Sequence, residues 1–567
     1  ALGSIGTGTL SRDLNRWWSK SINKYSAGWN KYLLGSYEQN EDGSYSYTTN
    51  RVGNEVSTDL NSTNETAGDR RIYLEAMVDY NRTFGRHDVN AMLLYNQDEL
   101  VNNVPGNNLI NSLPKRKQGL AGRLSYAYDG KYMAEVNMGY NGSENFAKGH
   151  RWGFFPSIAL GYNISEESFF EPLRKVITSM KLRGSWGLVG NDQIGGERFI
   201  YMPTINLSGK GFTTGIDQNY GLSGPVYTRY ENNSITWEVG EKINLGIDLQ
   251  LLNSLNIVVD IFRETRRDIF QKKGTIPTYL GTGNTDVFGN LAEMKNQGLD
   301  LSIDYNKAFS KDFYMNFKGT FTYAHNEITK YDEAPKYAFQ SKVGQSANVS
   351  QGYLSNGLFL DEAEIDRYNQ QMGSTLGAGD IKYLNVSNMH GYGDDIVDVD
   401  DWTWIGNPTV PEIVYGFGPS FKYKNWDFSF FFQGVAKTSL FMSGFHPFGD
   451  NSLRNVLQFV ANDRWSPTNQ NVDAKYPRLT RKTSLNNTNP GNSGRTSDYW
   501  MRDGSFLKLK NMELGYTFKR MRFYISGSNL LTFSKFDLWD PEQGGGSGLK
   551  YPTQRVFNVG FQMTFNN

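Results

Sequence analysis

From Val556 to Phe565 the chain reads VFNVGFQMTF: Phe557, Val559, Phe561, Met563 and Phe565 are apolar, and Asn558, Gly560, Gln562 and Thr564 lie between them. Successive side chains of an extended strand point to opposite faces, so this segment sets a wholly apolar face against a polar one. Its length matches the ~9–11 residues with which a tilted strand crosses a bilayer. A two-faced strand ending on an aromatic is how an outer-membrane β-barrel closes. A half-buried strand of a soluble sandwich alternates in the same way, so the decision rests on recurrence and on what lies between the copies.

The pattern recurs throughout. Ile72, Leu74, Ala76, Val78 and Tyr80 form one row, and Val89, Ala91, Leu93 and Tyr95 form the next after a turn at Gly85. Leu120 to Tyr128 runs into Asp129-Gly130, a dipeptide suited to the positive φ angles of a tight hairpin, and Tyr132 to Tyr140 returns. Ile243 to Leu251, Leu255 to Ile261, Leu299 to Tyr305, Phe313 to Tyr323, Tyr415 to Tyr423 and Phe428 to Phe432 continue the series. A Lys or Arg on a lipid-facing midplane position costs ~2–4 kcal/mol. No ionisable residue interrupts these rows; Lys242 and Asp248, for example, fall on the face opposite the five aliphatics of Ile243 to Leu251. Tyrosines collect at strand ends, where interfacial girdles hold amphipathic rings.

Connection lengths alternate. Short turns are expected at 82–87, 129–131, 253–254, 307–312, 424–425 and 518–521, and long loops at 97–117, 141–154, 189–241, 264–296, 324–412, 435–503 and 534–554. The intermediate connection 165–177 falls where parity requires a turn. Short periplasmic turns and long extracellular loops sorted to opposite ends are the mark of an outer-membrane barrel. The expected fold is therefore all-β: a transmembrane antiparallel barrel wall of about sixteen strands, with the segment Trp29 to Tyr37 supplying the sixteenth.

Composition agrees. No run approaches the ~18 consecutive apolar residues of a spanning helix. With no Cys, disulfides and thiolate chemistry are absent, and a formal charge of +0 gives no basis for nucleic-acid binding. The 60 Gly, 34 Tyr and 35 Phe favour strands, turns and interfacial rings.

Several collinear blocks carry a family resemblance: KYMAEVNMGYNGSENF, RWGFFPSIALGYNISEESFF and MKLRGSWGLVGND between Lys131 and Asp192, then ITWEVGEKINLGIDL, NLAEMKNQGLDLSIDY, GDIKY, IGNPTVPEIVYGF, DRWSPTN, DYWMRDGSFLKLKNMELGYTF and YISGSNLLTFSKFDLWDPE. Together they resemble the C-terminal half to two-thirds of the SusC/RagA-like TonB-dependent outer-membrane transporters of Bacteroidetes. The resemblance implies a 22-stranded barrel, a size at which transporter lumens are plugged, embedded in outer-membrane lipid. It implies import of a bulky nutrient, an oligosaccharide ahead of an oligopeptide, with TonB as motor, a SusD/RagB-like surface lipoprotein as lid, and pairs of such complexes as one arrangement. No plug or TonB box is found ahead of residue 71, so residues 1–567 are expected to be the C-terminal barrel portion, without the plug and first strands. Asn566-Asn567 after the terminal aromatic is a smaller departure.

Site candidates are few. Asp394, Asp395, Asp398, Asp400 and Asp401 lie within eight residues, where the resembling family often has a DxNxDG-like segment. Calcium is a hard ion taking six to eight oxygens, and Asp394, Asp398 and Asp401 are the expected ligands; an acidic loop that is merely solvated is the commoner outcome. No other cofactor is expected. Trp402, Trp404, Trp465, Tyr499 and Trp500 could stack on sugar rings or touch a partner, or simply pack the loops together. His87, His150, His325, His390 and His446 are scattered with no HExxH, and neither a GxSxG nor a GxxxxGK[ST] segment occurs, so no enzyme is expected. Two alternatives stay open: a passive or secretion-type outer-membrane channel, and a soluble β-rich glycan-binding or glycan-cleaving protein.

Overall fold

The computed structural model describes residues 9–26, 31–52, 59, 61–105, 109–277, 285–368, 376–392, 394–442, 456–479 and 496–565. Trp29, His446 and Asn566-Asn567 lie outside them.

Alternation carries directly into topology. Among the described residues, one antiparallel sheet of sixteen strands runs as a meander from Thr9–Ser26 to Val556–Met563. Each strand pairs with the next strand of the wall, and shorter two-stranded sheets are inserted only in the connections. No helix among the described residues is long and apolar enough to cross a membrane.

The apolar rows are exposed and not packed into a core. Val559 is 87% exposed, Leu245 62%, Ile261 61% and Leu160 59%. Register keeps them level: Tyr126 lies opposite Ala134, Ala134 opposite Leu160, Leu160 opposite Gly184 and Gly184 opposite Leu245. A water-soluble sheet would turn such rows into a core. Here they stay exposed, as a hydrocarbon solvent requires.

The opposite face is polar and carries charge bridged across strands. Arg183 Nε donates to Asp248 Oδ1 at 2.9 Å and its Nη1 donates to Asp260 Oδ1 at 3.0 Å. Gly246 lies between Arg183 and Asp260 in the register, and a Cβ there would stand 2.6 Å from the Asp260 carboxylate. Gly515 repeats the device: a Cβ would meet Asp427 at 2.5 Å and Arg522 at 2.6 Å, the two partners of an ion pair that passes over it. Arg123 and Glu135 form a third pair, at 2.6 Å.

The turn at Asp129-Gly130 follows the expected chemistry, with φ of 55° and 67°, whereas at the next the left-handed residues are Leu252 and Asn253, at 51° and 53°, and Lys424 and Lys519 adopt positive φ without the propensity for it. Rings gather at this short-turn end: His87 with Tyr128 at 5.0 Å, Tyr132 stacked on Tyr162 at 5.2 Å and Trp426 beside Tyr516 at 4.7 Å. The connection 164–176 joins this end as two 3-10 turns, Ile164–Glu166 and Ser168–Leu173.

Two expectations are corrected. The sixteenth wall strand is Thr9–Ser26, paired with Asn61–Phe84. The part of the Trp29 to Tyr37 segment that is described belongs instead to Lys31–Gln39, which pairs with Tyr45–Val52 in a separate hairpin. Asp42 and Gly43, the latter at φ 82°, turn that hairpin, so a nearby partner outcompetes a distant one. Thr9–Ser26 escaped notice because Arg12, Arg16, Lys20 and Lys24 interrupt its period.

Loop boundaries also shift. Leu255–Lys272, Phe288–Ala308 and Phe313–Lys330 run 18, 21 and 18 residues, well past the apolar rows. Above the lipid the ladder needs no apolar face. Charged cross-strand pairs such as Arg266 with Glu238 at 3.4 Å and Arg267 with Glu241 at 3.2 Å line it instead.

Candidate functional site

The dry core of this molecule lies in the long connections. Tyr353, Leu358, Ile381, Tyr383 and Val397 from 331–412 pack with Leu440, Met442, Val460, Trp465, Tyr476 and Trp500 from 437–505, and with Phe536 from 535–555. Trp500, Tyr353 and Tyr383 have no exposed surface at all. Main-chain bonds stitch the same loops: Tyr353 N–H donates to Thr496 O at 2.8 Å, Leu358 N–H to Val472 O at 2.9 Å and Gly546 N–H to Phe441 O at 2.8 Å. A smaller core joins 144–151 to 192–237 through Phe146, Ile200 and Trp237, whose indole donates to Arg151 O at 3.0 Å.

The short sequence blocks in these loops are the staples. In GDIKY, Gly379 holds φ 82° against Trp465, where a Cβ would come within 2.3 Å of the indole. Asp380, fully buried, accepts from Arg478 Nη2 at 3.1 Å. At the end of the wall Lys508, 1% exposed, is paired with Asp540 and with Glu542 at 2.8 Å, the acidic members of WDPE. Burial alone would raise the pKa of both carboxyls, but hydrogen bonds from Lys508, and for Glu542 also from Lys510, hold them below the ordinary range.

This placement sorts the aromatic candidates. Trp465 and Trp500 are core residues at 5% and 0% exposure and offer no face to a solute. Burial pushes the Tyr499 hydroxyl pKa well up, and that hydroxyl donates to Ala474 O at 2.8 Å inside the same core. Trp404 donates its indole N–H to Ser341 O at 2.9 Å. Trp402 alone of the five is openly exposed, at 36%, edge-on to Tyr353. A separate ring cluster, which alternation does not announce, lies in the same loop: Phe339 stacks on Tyr337 at 5.4 Å and on His390 at 4.7 Å, and Tyr337 meets Tyr392 at 4.2 Å. Its members come from segments some fifty residues apart in sequence, so no local spacing announces it.

The acidic run divides as well. Asp394, Asp398 and Asp400 bring ligand oxygens within 4.8 Å of one another and are the residues that could hold a divalent cation. Asp401 does not join them. It is fully buried, accepting from Ser387 N–H at 2.9 Å and Asp398 N–H at 2.8 Å, and burial raises its pKa. Asp394 is held below its usual value: burial opposes this, but hydrogen bonds from Ile396 N–H, Asn385 and Ser387 prevail. Lys336 is already paired with Asp400, and Asp398 Oδ1 accepts Asp400 N–H at 2.8 Å. Three partly engaged carboxylates supply only some of the six to eight oxygens calcium takes, and backbone carbonyls and water would have to supply the rest.

An outward-facing apolar wall with long loops packed at one end defines a membrane β-barrel with an elaborated mouth. Residues 4–530 match the family described as TonB dependent receptor-like, beta-barrel, and the chain belongs to that family. It is 25% identical over 574 residues to TonB-dependent receptor P3 of Formosa agariphila, covering 91% of this chain and 54% of the relative. It is 28% identical over 471 residues to TonB-dependent receptor SusC of Bacteroides thetaiotaomicron, covering 78% and 43%. The chain thus spans about half the length of these relatives. Among solved structures, the RagAB peptide importer in its closed-closed state superimposes with a TM-score of 0.66 at 20% identity, over 91% of this chain and 58% of that one; the likeness is one of fold.

Proposed function

We propose that this chain forms the wall and mouth of a SusC-type transporter in the outer membrane, importing a bulky nutrient with energy from TonB. One observation carries the reading: the apolar rows of the strands are exposed while the largest buried core lies in the loops that connect them. That division gives a wall solvated by lipid and a packed loop assembly able to receive a partner. Among the described residues, strands Thr9–Ser26 and Val556–Met563 border the sheet, and lipid cannot satisfy unpaired backbone groups, so this reading requires both edges to be paired in the membrane. A SusD-like lipoprotein would close over the loop assembly, and an oligosaccharide is favoured over an oligopeptide as cargo. Support for a sugar comes from the loop surface, where the rings Tyr337, Phe339, His390 and Tyr392 adjoin the carboxylates of Asp394, Asp398 and Asp400, suited to stacking and to hydroxyl recognition.

The test is growth and uptake by the host strain with the gene deleted and restored, together with titration of the purified complex with defined oligosaccharides and peptides. Uptake of one oligosaccharide that depends on the gene and on TonB meets the expectation. Uptake independent of TonB favours a passive channel, and saturable binding of peptides alone reverses the cargo assignment.

A further inference from the structure

The outer wall is not uniformly padded. Along one register row the side chains run Tyr126, Ala134, Leu160, Gly184, Leu245, so two small residues alternate with three large ones. The result is a recess of about 520 Å³ on the apolar face, bounded toward the short-turn end by Tyr132, Tyr162 and Leu182. Little but side-chain size makes it. A Cβ on Gly184 would meet only Leu245, at an ordinary 3.4 Å, so the gap is open to the outside and is not filled by the protein's own packing.

A polar cap sits directly beyond. Tyr132 Oη donates to Glu167 Oε1 at 2.6 Å, and Lys131 Nζ lies 3.6 Å from Glu167 Oε2. On the connection that carries Glu167, Phe169, Leu173 and Val176 are 67%, 52% and 56% exposed, a placement suited to the boundary between headgroups and acyl chains.

We propose that this recess holds an acyl chain of a phospholipid from the periplasmic leaflet, with its headgroup beside Lys131 and Glu167. The assignment rests on the membrane reading of the wall. The occupant follows from continuity: the recess is part of the exposed apolar face, its lining is apolar except for Arg183, whose guanidinium is engaged by Asp248 and Asp260, and the paired Lys131 and Glu167 at its polar end offer a cation and an anion that a zwitterionic headgroup of phosphate and ammonium would bridge. A water-filled gap there would leave the surrounding Leu and Tyr side chains without contacts that a chain of methylenes supplies.

The experiment uses the protein purified from membranes in mild detergent, incubated with phosphatidylethanolamine and weighed by native mass spectrometry. Ala134→Phe and Gly184→Leu fill the recess from the lipid side without touching the polar face; Lys131→Ala removes the headgroup cation. Wild type is expected to retain the lipid, and each filled variant at least about tenfold less, because every methylene denied burial weakens retention about fourfold. Lys131→Ala should also lower retention. Equal retention by wild type and all variants, in protein that still shows heat-modifiable migration, overturns the recess assignment and leaves the membrane reading intact. Recovery of the wild type from the soluble fraction without detergent overturns both.

Discussion

The wall and the mouth are built on opposite solvation rules. In the wall, Leu245 and Val559 lie outermost and Arg183 faces inward with Asp248 and Asp260. In the mouth, Trp500, Tyr353 and Tyr383 are innermost, and the charges buried there, such as Asp380 with Arg478, are paired. The wall is therefore held mainly by its hydrogen-bond ladder and cross-strand pairs, whereas the mouth is held by apolar burial between segments far apart in sequence. One chain contains two stability problems, which perturbations should separate.

The largest effect is expected from removing 324–412. Such a deletion takes Tyr353, Leu358, Ile381, Tyr383 and Val397 out of a core shared with two other loops, so the remaining mouth should become protease-sensitive while heat-modifiable wall structure persists. Loss of lipoprotein docking in that deletion would then report collapse and not a local contact. Trp500→Ala is the single-residue version, expected to cost ~3–5 kcal/mol locally. Limited proteolysis of the loops reads it, and an unchanged cleavage rate would mean that the loop core is not cooperative.

Lys508→Met comes next. Removing one member of a buried ion network costs ~3–5 kcal/mol because the partners are left uncompensated. The same network sets a pH dependence. Asp540 and Glu542 have folded pKa values held below the ordinary range, so their contribution is complete above the unfolded values of about 3.9 and 4.3 and is lost as pH falls through the folded ones. Loop protection measured by hydrogen exchange from pH 7 to 3 should fall at the acid end in wild type, and less steeply in Lys508→Met.

Within the wall, Leu245→Arg should destabilise by ~2–4 kcal/mol in vesicles, and Asn244→Arg, one residue away on the other face, by much less. Comparable costs would break the inside-outside assignment. Gly246→Ala and Gly515→Ala should each cost ~1–3 kcal/mol by pushing a methyl into an ion pair, visible as a lower urea midpoint. The smallest effect is expected at Asp394, Asp398 and Asp400: with Lys336 on Asp400 and Asp401 turned inward, calcium at 1 mM should add under ~1 kcal/mol to loop stability. A larger rise that chelator reverses would show a stronger site than this geometry suggests.

How much was legible in advance depends on the range of the interactions. The terminal strand, the Asp129-Gly130 turn and the short-turn girdle could be read locally, since each depends on neighbours one or two residues away. Thr9–Ser26 could not, because its period is broken and its place in the sheet is decided by pairing with Asn61–Phe84. In the sequence the aromatic candidates are marked only by residue type and by lying in the long loops. Such marks could not distinguish Trp402 at the surface from Trp500 in the core, nor foresee that Asp400 and not Asp401 would face Asp394.

What the chain determines unaided is the face a wall residue presents wherever the alternation is unbroken, because a strand's two-residue period meets only two environments, lipid and lumen. What tertiary structure alone decides is the mouth. Its loops have no period, and Lys508 finds Asp540, or Asp380 finds Arg478, only once strands tens of residues apart have been brought together by the sheet.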